Sequence, residues 1–381
     1  RHYYQRPDLD YTSLDSNATS IKGYAGRILV NKQKGNVIFN SALGVVDPGF
    51  DVSDVGFMWR TNIINYHLGG GYKWTKPNEF FRYSELIGAL FNTWDFDGNT
   101  TWKGVWLGHY TEFANYYWLN FRYAYNPETY NIYRTRGGPI TLNIPGNEFS
   151  LYIGSDGRKP VVFEVGGSTY THTNGEFGRE VEFEVEWKPM ANVNLSINPS
   201  YNWSYDGAQW VDAFDDQTAG DTYDKRYVFA DLNYKEISSS IRLNWTFTPK
   251  LSLQMYMQPL IASADYSHYK YLTRPKSYEF TEFEQANYNP DSDQIEADAD
   301  GDGPAPVLSW DKPDFTNKSL RGNVVLRWEF MPGSIAYFVW TQSRFNDEDN
   351  GSFELGHSMD KLINTESDNI FMVKLTYWLN M

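Results

Sequence analysis

The sequence predicts an all-β protein, an antiparallel up-and-down transmembrane β-barrel with long acidic extracellular loops. Three observations predict it: strict alternation of apolar and polar residues, alternating runs too long for an ordinary soluble sheet, and connections that are either tight turns or long polar loops. Aromatic content points the same way. Of the 381 residues, 18% are aromatic, with 14 Trp, 29 Tyr and 24 Phe. A ring with a polar tip suits the boundary between hydrocarbon and water, although glycan-binding β proteins are also aromatic-rich.

Alternation carries the argument because successive strand side chains point to opposite faces of a sheet. Val193, Leu195, Ile197, Tyr201, Trp203 and Tyr205 alternate with Asn194, Ser196, Asn198, Ser200, Asn202 and Ser204. Val181, Phe183, Val185 and Trp187 alternate with Glu180, Glu182, Glu184 and Glu186, while Ile241, Leu243, Trp245 and Phe247 alternate with Arg242, Asn244 and Thr246. Val324, Leu326, Trp328 and Phe330 face away from Asn323, Arg327 and Glu329, with Val325 the exception. Such runs extend over roughly 10 to 13 residues, against about 5 to 6 for a soluble strand and about 9 to 11 for a tilted bilayer crossing. At the C-terminus, Phe371, Val373, Leu375, Tyr377, Leu379 and Met381 share a face, the form expected of a barrel's closing strand.

Loops divide into two kinds. Lys188-Pro189-Met190-Ala191, Thr248-Pro249-Lys250 and Met331-Pro332-Gly333 read as tight turns, whereas about 265–319 and 347–368 are long and polar. Membrane barrels place short turns on the periplasmic side and long loops outside. Counting strands back from a periplasmic C-terminus puts all three turns on one side, provided a separate strand at Gln209–Phe214 follows a turn at Asp206-Gly207. The count gives about 17 strands in a single unit, 1–381. An odd number suits a closed bacterial barrel poorly, so at least one strand is expected upstream, with the chain the C-terminal part of a larger barrel.

Composition narrows the remaining classes. A formal net charge of -15 disfavours nucleic acid, because phosphate binding needs a basic surface. Zero Cys removes disulfides, thiolate zinc sites and Cys nucleophiles. Mean hydropathy is -0.57 and no stretch of about 18 apolar residues exists, which excludes helical spans but not a barrel.

The segments WTFTPKLSLQMYMQP (Trp245–Pro259), SLRGNVVLRWEFMPGS (Ser319–Ser334) and VWTQSR (Val339–Arg344) carry a family likeness. In them the chain resembles the C-terminal barrel of Bacteroidota-type outer-membrane proteins in which a family-nine-like carbohydrate-binding domain precedes a β-barrel of unassigned function. The likeness is closest from about Val161 onward and looser earlier, around Phe50 to Arg60. It implies a longer parent protein, a Gram-negative outer membrane and an N-terminal glycan-binding module, and it implies no catalytic residues.

Candidate side chains follow from the faces. Leu243, Trp245, Phe247, Val324, Leu326, Trp328, Phe371, Val373, Leu375 and Tyr377, with Leu253 and Met255, are expected to face lipid. Glu180, Glu182, Glu184 and Glu186, with Arg122 and Arg242, are expected to face the lumen. Four like charges about 7 Å apart on one strand repel unless water or cations screen them, which gives a wet, cation-preferring interior, or unless neighbouring basic residues neutralise them. Asp298, Asp300 and Asp302 with Gly303 have the spacing of a calcium loop, but Ser309 stands where the bidentate Glu belongs, and a solvated acidic loop is the competing reading. The six His are scattered and no nucleophile elbow or metalloprotease helix occurs. Gly69, Gly70 and Gly71 sit inside a strand pattern, where Gly marks a bend or a close approach. Trp210, Tyr278, Tyr288 and Trp310 could stack on sugars, or pack the loops.

The functional expectation is therefore an outer-membrane protein, porin-like or a surface platform, engaged with lipid and linked to glycan binding or uptake or to an envelope complex. No cofactor is expected, calcium in the external loop being only a candidate, and no catalytic machinery is evident. The alternative is a soluble, aromatic-rich glycan-binding or glycan-cleaving β protein.

Overall fold

The computed structural model describes residues 6–12, 15, 17–32 and 34–379. Strands begin with β1 (Ala25–Lys32), β2 (Val37–Val46), β3 (Ile63–Trp74), β4 (Phe81–Trp94), β5 (Thr100–Phe113) and β6 (Trp118–Asn126). The short pair β7 (Thr129–Asn131) and β8 (Thr141–Asn143) precedes β9 (Gly146–Gly154), β10 (Val161–His172) and β11 (Phe177–Met190). Three long strands follow, β12 (Val193–Asp215), β13 (Lys225–Thr248) and β14 (Leu251–Leu272). Then come β15 (Phe280–Glu282), β16 (Gln285–Asn289), β17 (Gln294–Asp298) and β18 (Leu308–Asp311). The chain closes with β19 (Phe315–Met331), β20 (Ser334–Glu348), helix α1 (Leu355–Asn364) and β21 (Asp368–Thr376).

The main sheet has 16 strands, one of which, β15, only extends the outer part of β14. The other fifteen form an antiparallel meander in chain order, from β1 at one edge to β21 at the other. Among the described residues no pairing joins β1 to β21, and both are exposed along their whole length. The protein is thus all-β and antiparallel, as the alternation predicts, and among the described residues the sheet does not close on itself.

Alternate connections sort by length. The end holding the turns at residues 191–192, 249–250 and 332–333 has connections of two to six residues, while the opposite end carries the long connections 47–62, 127–145, 216–224, 273–314 and 349–367. Gly333 takes φ +76° in the last of these turns, a left-handed conformation that costs Gly nothing.

The expected strand at Gln209–Phe214 is not separate. β12 runs on for 23 residues, and Asp206-Gly207 forms a bulge, with register shifts at Asp206/Gln209 and Trp210/Asp212. The extra residues kink the ladder without ending it. With β12, β13 and β14 at 23, 24 and 22 residues, all three Pro-containing turns fall at one end without the additional crossing. The path therefore has fifteen strands rather than about 17.

Lateral register aligns the apolar residues into rows. One row runs Trp187, Leu195, Leu243, Met255, Val324, Trp340, Phe371 across seven strands, and another runs Trp245, Leu253, Leu326, Phe338, Val373. The same face continues on earlier strands as Leu119, Ile153, Val165, Phe183 and as Leu107, Tyr123, Phe149. Strands about 4.8 Å apart make this face roughly 50 Å wide from β5 to β21. Little covers it: Trp187 is 47% exposed, Trp328 48% and Phe371 75%.

Among the described residues, the clusters of buried apolar side chains lie at the loop-rich end, where β12, β13 and β14 project past the apolar rows. Ala208, Tyr227, Phe229 and Leu272 pack on one side of that projection, with Trp210, Tyr278 and Phe280. Val228, Phe283, Ile295, Ala297, Leu308 and Trp310 pack on the other, under the small sheet of β16, β17 and β18.

Candidate functional site

The face opposite the apolar rows is polar, and register places the expected lumen-facing residues on it together. Arg122 lies in one lateral row with Ser150, Ser168 and Glu180, so a cation and a carboxylate predicted from separate strands share one line. Arg242 is two strands from Glu186 through Ser196, and its guanidinium lies over the Tyr256 ring at 5.1 Å.

The four glutamates are not equivalent. Glu186 is neutralised by Lys188 at 2.6 Å and accepts a hydrogen bond from Asn194 Nδ2 at 2.7 Å. Glu180 accepts from Ser168 Oγ at 3.4 Å. Glu184 stands directly opposite Glu164 on β10, and Glu182 opposite Gly166. Sequence reasoning missed Glu164, although its alternation with Val161, Phe163 and Val165 puts it on the polar face. What a sequence alone withholds is the register that aligns it with Glu184. Gly166 accommodates the ring of Tyr152, since a Cβ there would meet Tyr152 Cδ1 at 2.2 Å. Gly71 likewise permits close approach, with Leu86 O 2.1 Å from a built Cβ.

Toward the loop-rich end the polar face opens into a cleft of about 680 Å³ lined by Trp106, Arg122, Glu148, Tyr170, His172, Glu176 and Asp206, among others. Its rim is set by the tight turn between β10 and β11. Gly175, at φ +96°, lets the chain reverse, and His172 Nδ1 lies 2.9 Å from Glu176 Oε2. Glu176 also accepts from the Gly207 backbone N–H at 3.1 Å, in the β12 bulge, and from the Tyr278 hydroxyl, in the segment after β14. One carboxylate therefore ties three chain segments together. Burial alone would push Glu176 up, but hydrogen bonds from His172, Tyr278 and Asn174, with the charge of Arg134, outweigh it and hold the carboxyl at about 2. Arg134 lies over the Tyr278 ring at 4.8 Å and Arg136 over Trp210 at 5.5 Å.

The cleft combines rings, carboxylates and guanidinium groups, an arrangement suited to reversible binding of a polar ligand. The His172 ring is engaged with Glu176, and no catalytic step is assigned to it.

Leu243, Trp245, Phe247, Leu253, Met255, Val324, Leu326, Trp328, Phe371, Val373 and Leu375 share the apolar face by strand parity and register. The described part of the last strand ends at Thr376, Tyr377 is exposed beyond it, and Met381 lies outside the described residues. In the acidic loop, Asp298 accepts from the backbone N–H groups of Asp300 and Gly301, and Asp300 accepts from that of Ala305. Among the described residues no three His, Cys, Asp or Glu gather as ligands for a cation. Of the loop aromatics, Trp310, Trp210 and Tyr278 pack in the cores of the projection, while Tyr288 is exposed.

Fold and site together define an antiparallel up-and-down meander with one apolar and one charged face, capped at one end by packed loops. The chain belongs to the family described as a domain of unknown function, DUF5916, whose model matches residues 2–381. No curated protein matches it.

Proposed function

We propose that this chain forms the wall of a β-barrel in the outer membrane of a Gram-negative bacterium, with the apolar rows against lipid and the charged face around a water-filled interior. The observation that carries this reading is the exposed apolar face, roughly 50 Å wide. Soluble monomers seldom expose a contiguous apolar patch above about 300–600 Å². In hydrocarbon every backbone amide needs a partner, so the free edges of β1 and β21 would have to be paired. Fifteen alternating strands leave those edges running in the same direction. Antiparallel closure therefore takes an odd number of further strands, consistent with a larger barrel.

Within that barrel, Glu164, Glu180, Glu182 and Glu184 favour cations over anions, and the cleft beneath the loops is the place for a polar ligand such as a glycan. The resemblance to barrels that follow a carbohydrate-binding module supports that ligand class and a Bacteroidota setting. We assign no catalytic role.

Planar-bilayer recording tests the pore. The expected result is cation-selective conductance; none under any condition would leave a barrel that acts as a surface platform or as a scaffold in an envelope complex. A soluble glycan-binding protein is the second reading, favoured by the two-layer packing around Val228 and Phe229. That packing is confined to the projection, whereas the soluble reading needs the apolar rows to be covered as well.

A further inference from the structure

Helix α1 rests on the apolar face, displaced toward the loop-rich end, as its anchors establish. Arg344 donates to the carbonyl of Ile363, and His357 Nε2 lies 3.2 Å from the Glu348 carboxylate. Arg344 and Glu348 are at even spacings from Trp340 along β20, so all three side chains share the face that carries the rows. Glu348 is in turn held by Lys318 Nζ at 2.7 Å, a lysine with no exposed side-chain surface.

Only part of the helix's apolar surface meets the sheet. Ser358 and Leu362 are buried, while Leu355, Met359 and Ile363 are 44%, 39% and 60% exposed. At about 3.6 residues per turn, Leu362, Leu355, Met359 and Ile363 form one continuous apolar arc, opposite His357, Asp360, Lys361 and Asn364. The sheet covers one flank of the arc and leaves the other as an uncovered stripe. Nearer the tight-turn end, the same face of the sheet presents Trp340 and Phe371, both exposed.

We propose that α1 is a membrane-surface helix, with Leu355, Met359 and Ile363 dipping into the adjoining edge of the bilayer and Asp360 and Lys361 turned to water. The inference rests on the lipid-belt reading and names a second lipid contact. Continuity with Trp340 and Phe371 identifies the occupant, because an apolar flank adjoining a lipid belt lies at the depth where amphipathic helices bind. Such a helix would fix how deep the barrel sits and brace the strand edge at β20 and β21.

The chain has no native Cys, so single cysteines can carry nitroxide labels in the full-length protein reconstituted into phosphatidylcholine vesicles. Met359→Cys, Asp360→Cys and Val373→Cys are compared for collision with oxygen and with a water-soluble nickel chelate. Expected is a label at 359 reached more by oxygen than by the chelate, at shallower depth than at 373, with the reverse preference at 360. A label at 359 that favours the chelate, or is shielded from both, while 373 reports lipid would overturn this proposal and leave the belt standing. A label at 373 in water would overturn both.

Discussion

Glu176 and Tyr278, separated by 102 residues, meet in a hydrogen bond at the rim of the polar cleft, where the Glu176 carboxylate also takes the Gly207 amide. The loop-rich end is thereby a fixed structure. Tyr278→Phe and Glu176→Gln should each destabilise it by about 1.5–3 kcal/mol, the usual range for a buried bond to a charged group. In a double-mutant cycle the two losses should not add. Chemical denaturation monitored by aromatic fluorescence checks this; additive losses would mean that the two groups are independent.

The same carboxylate makes the cap acid-sensitive. Glu176 sits at about 2 instead of the ordinary 4.5. A depressed carboxyl stabilises fully above its unfolded value and loses that contribution as pH falls through the folded one. Stability should therefore decline between about pH 5 and pH 2, and Glu176→Gln should remove that part of the decline. An unchanged pH profile in the variant would contradict the assignment.

Val324 lies within the longest apolar row, between Met255 and Trp340. If that row meets hydrocarbon, Val324→Arg should cost about 2–4 kcal/mol of folding stability in bilayers. At a water-exposed position the same change would fall within about 0.5 kcal/mol. Equilibrium folding into lipid vesicles separates the two ranges.

Glu164 and Glu184 oppose each other across β10 and β11, whereas Glu186 is paired with Lys188. Glu164→Gln with Glu184→Gln should leave folding unharmed and lower the cation preference of any conductance, read as a shift in reversal potential under a salt gradient. Glu186→Gln should shift it less.

Much of the strand pattern was legible because period-2 alternation is local. The turns at Pro249 and Pro332 were legible for the same reason. Register was not, since nothing within one strand states which residue faces it on the next; Arg122 and Glu180 fall on one row, and Glu164 meets Glu184, only through pairing. The long strands β12, β13 and β14 were misread in number because a bilayer crossing sets the expected length and the bulge at Asp206-Gly207 looks like a turn. Helix α1 was hidden inside a polar loop, where Leu355, Met359, Leu362 and Ile363 have helical spacing but lie between Gly351, Gly356 and acidic residues. The cleft could not be foreseen at all, being assembled from the β10–β11 turn, the β12 bulge and a segment a hundred residues later.

The central claim is that the apolar rows face lipid. It is tested most directly by purifying the full-length chain with and without detergent and measuring its size distribution and β-sheet circular dichroism. If the rows do face lipid, the protein is folded and monodisperse only in detergent or lipid and aggregates when these are removed. A protein that is folded and monodisperse in plain buffer would contradict it.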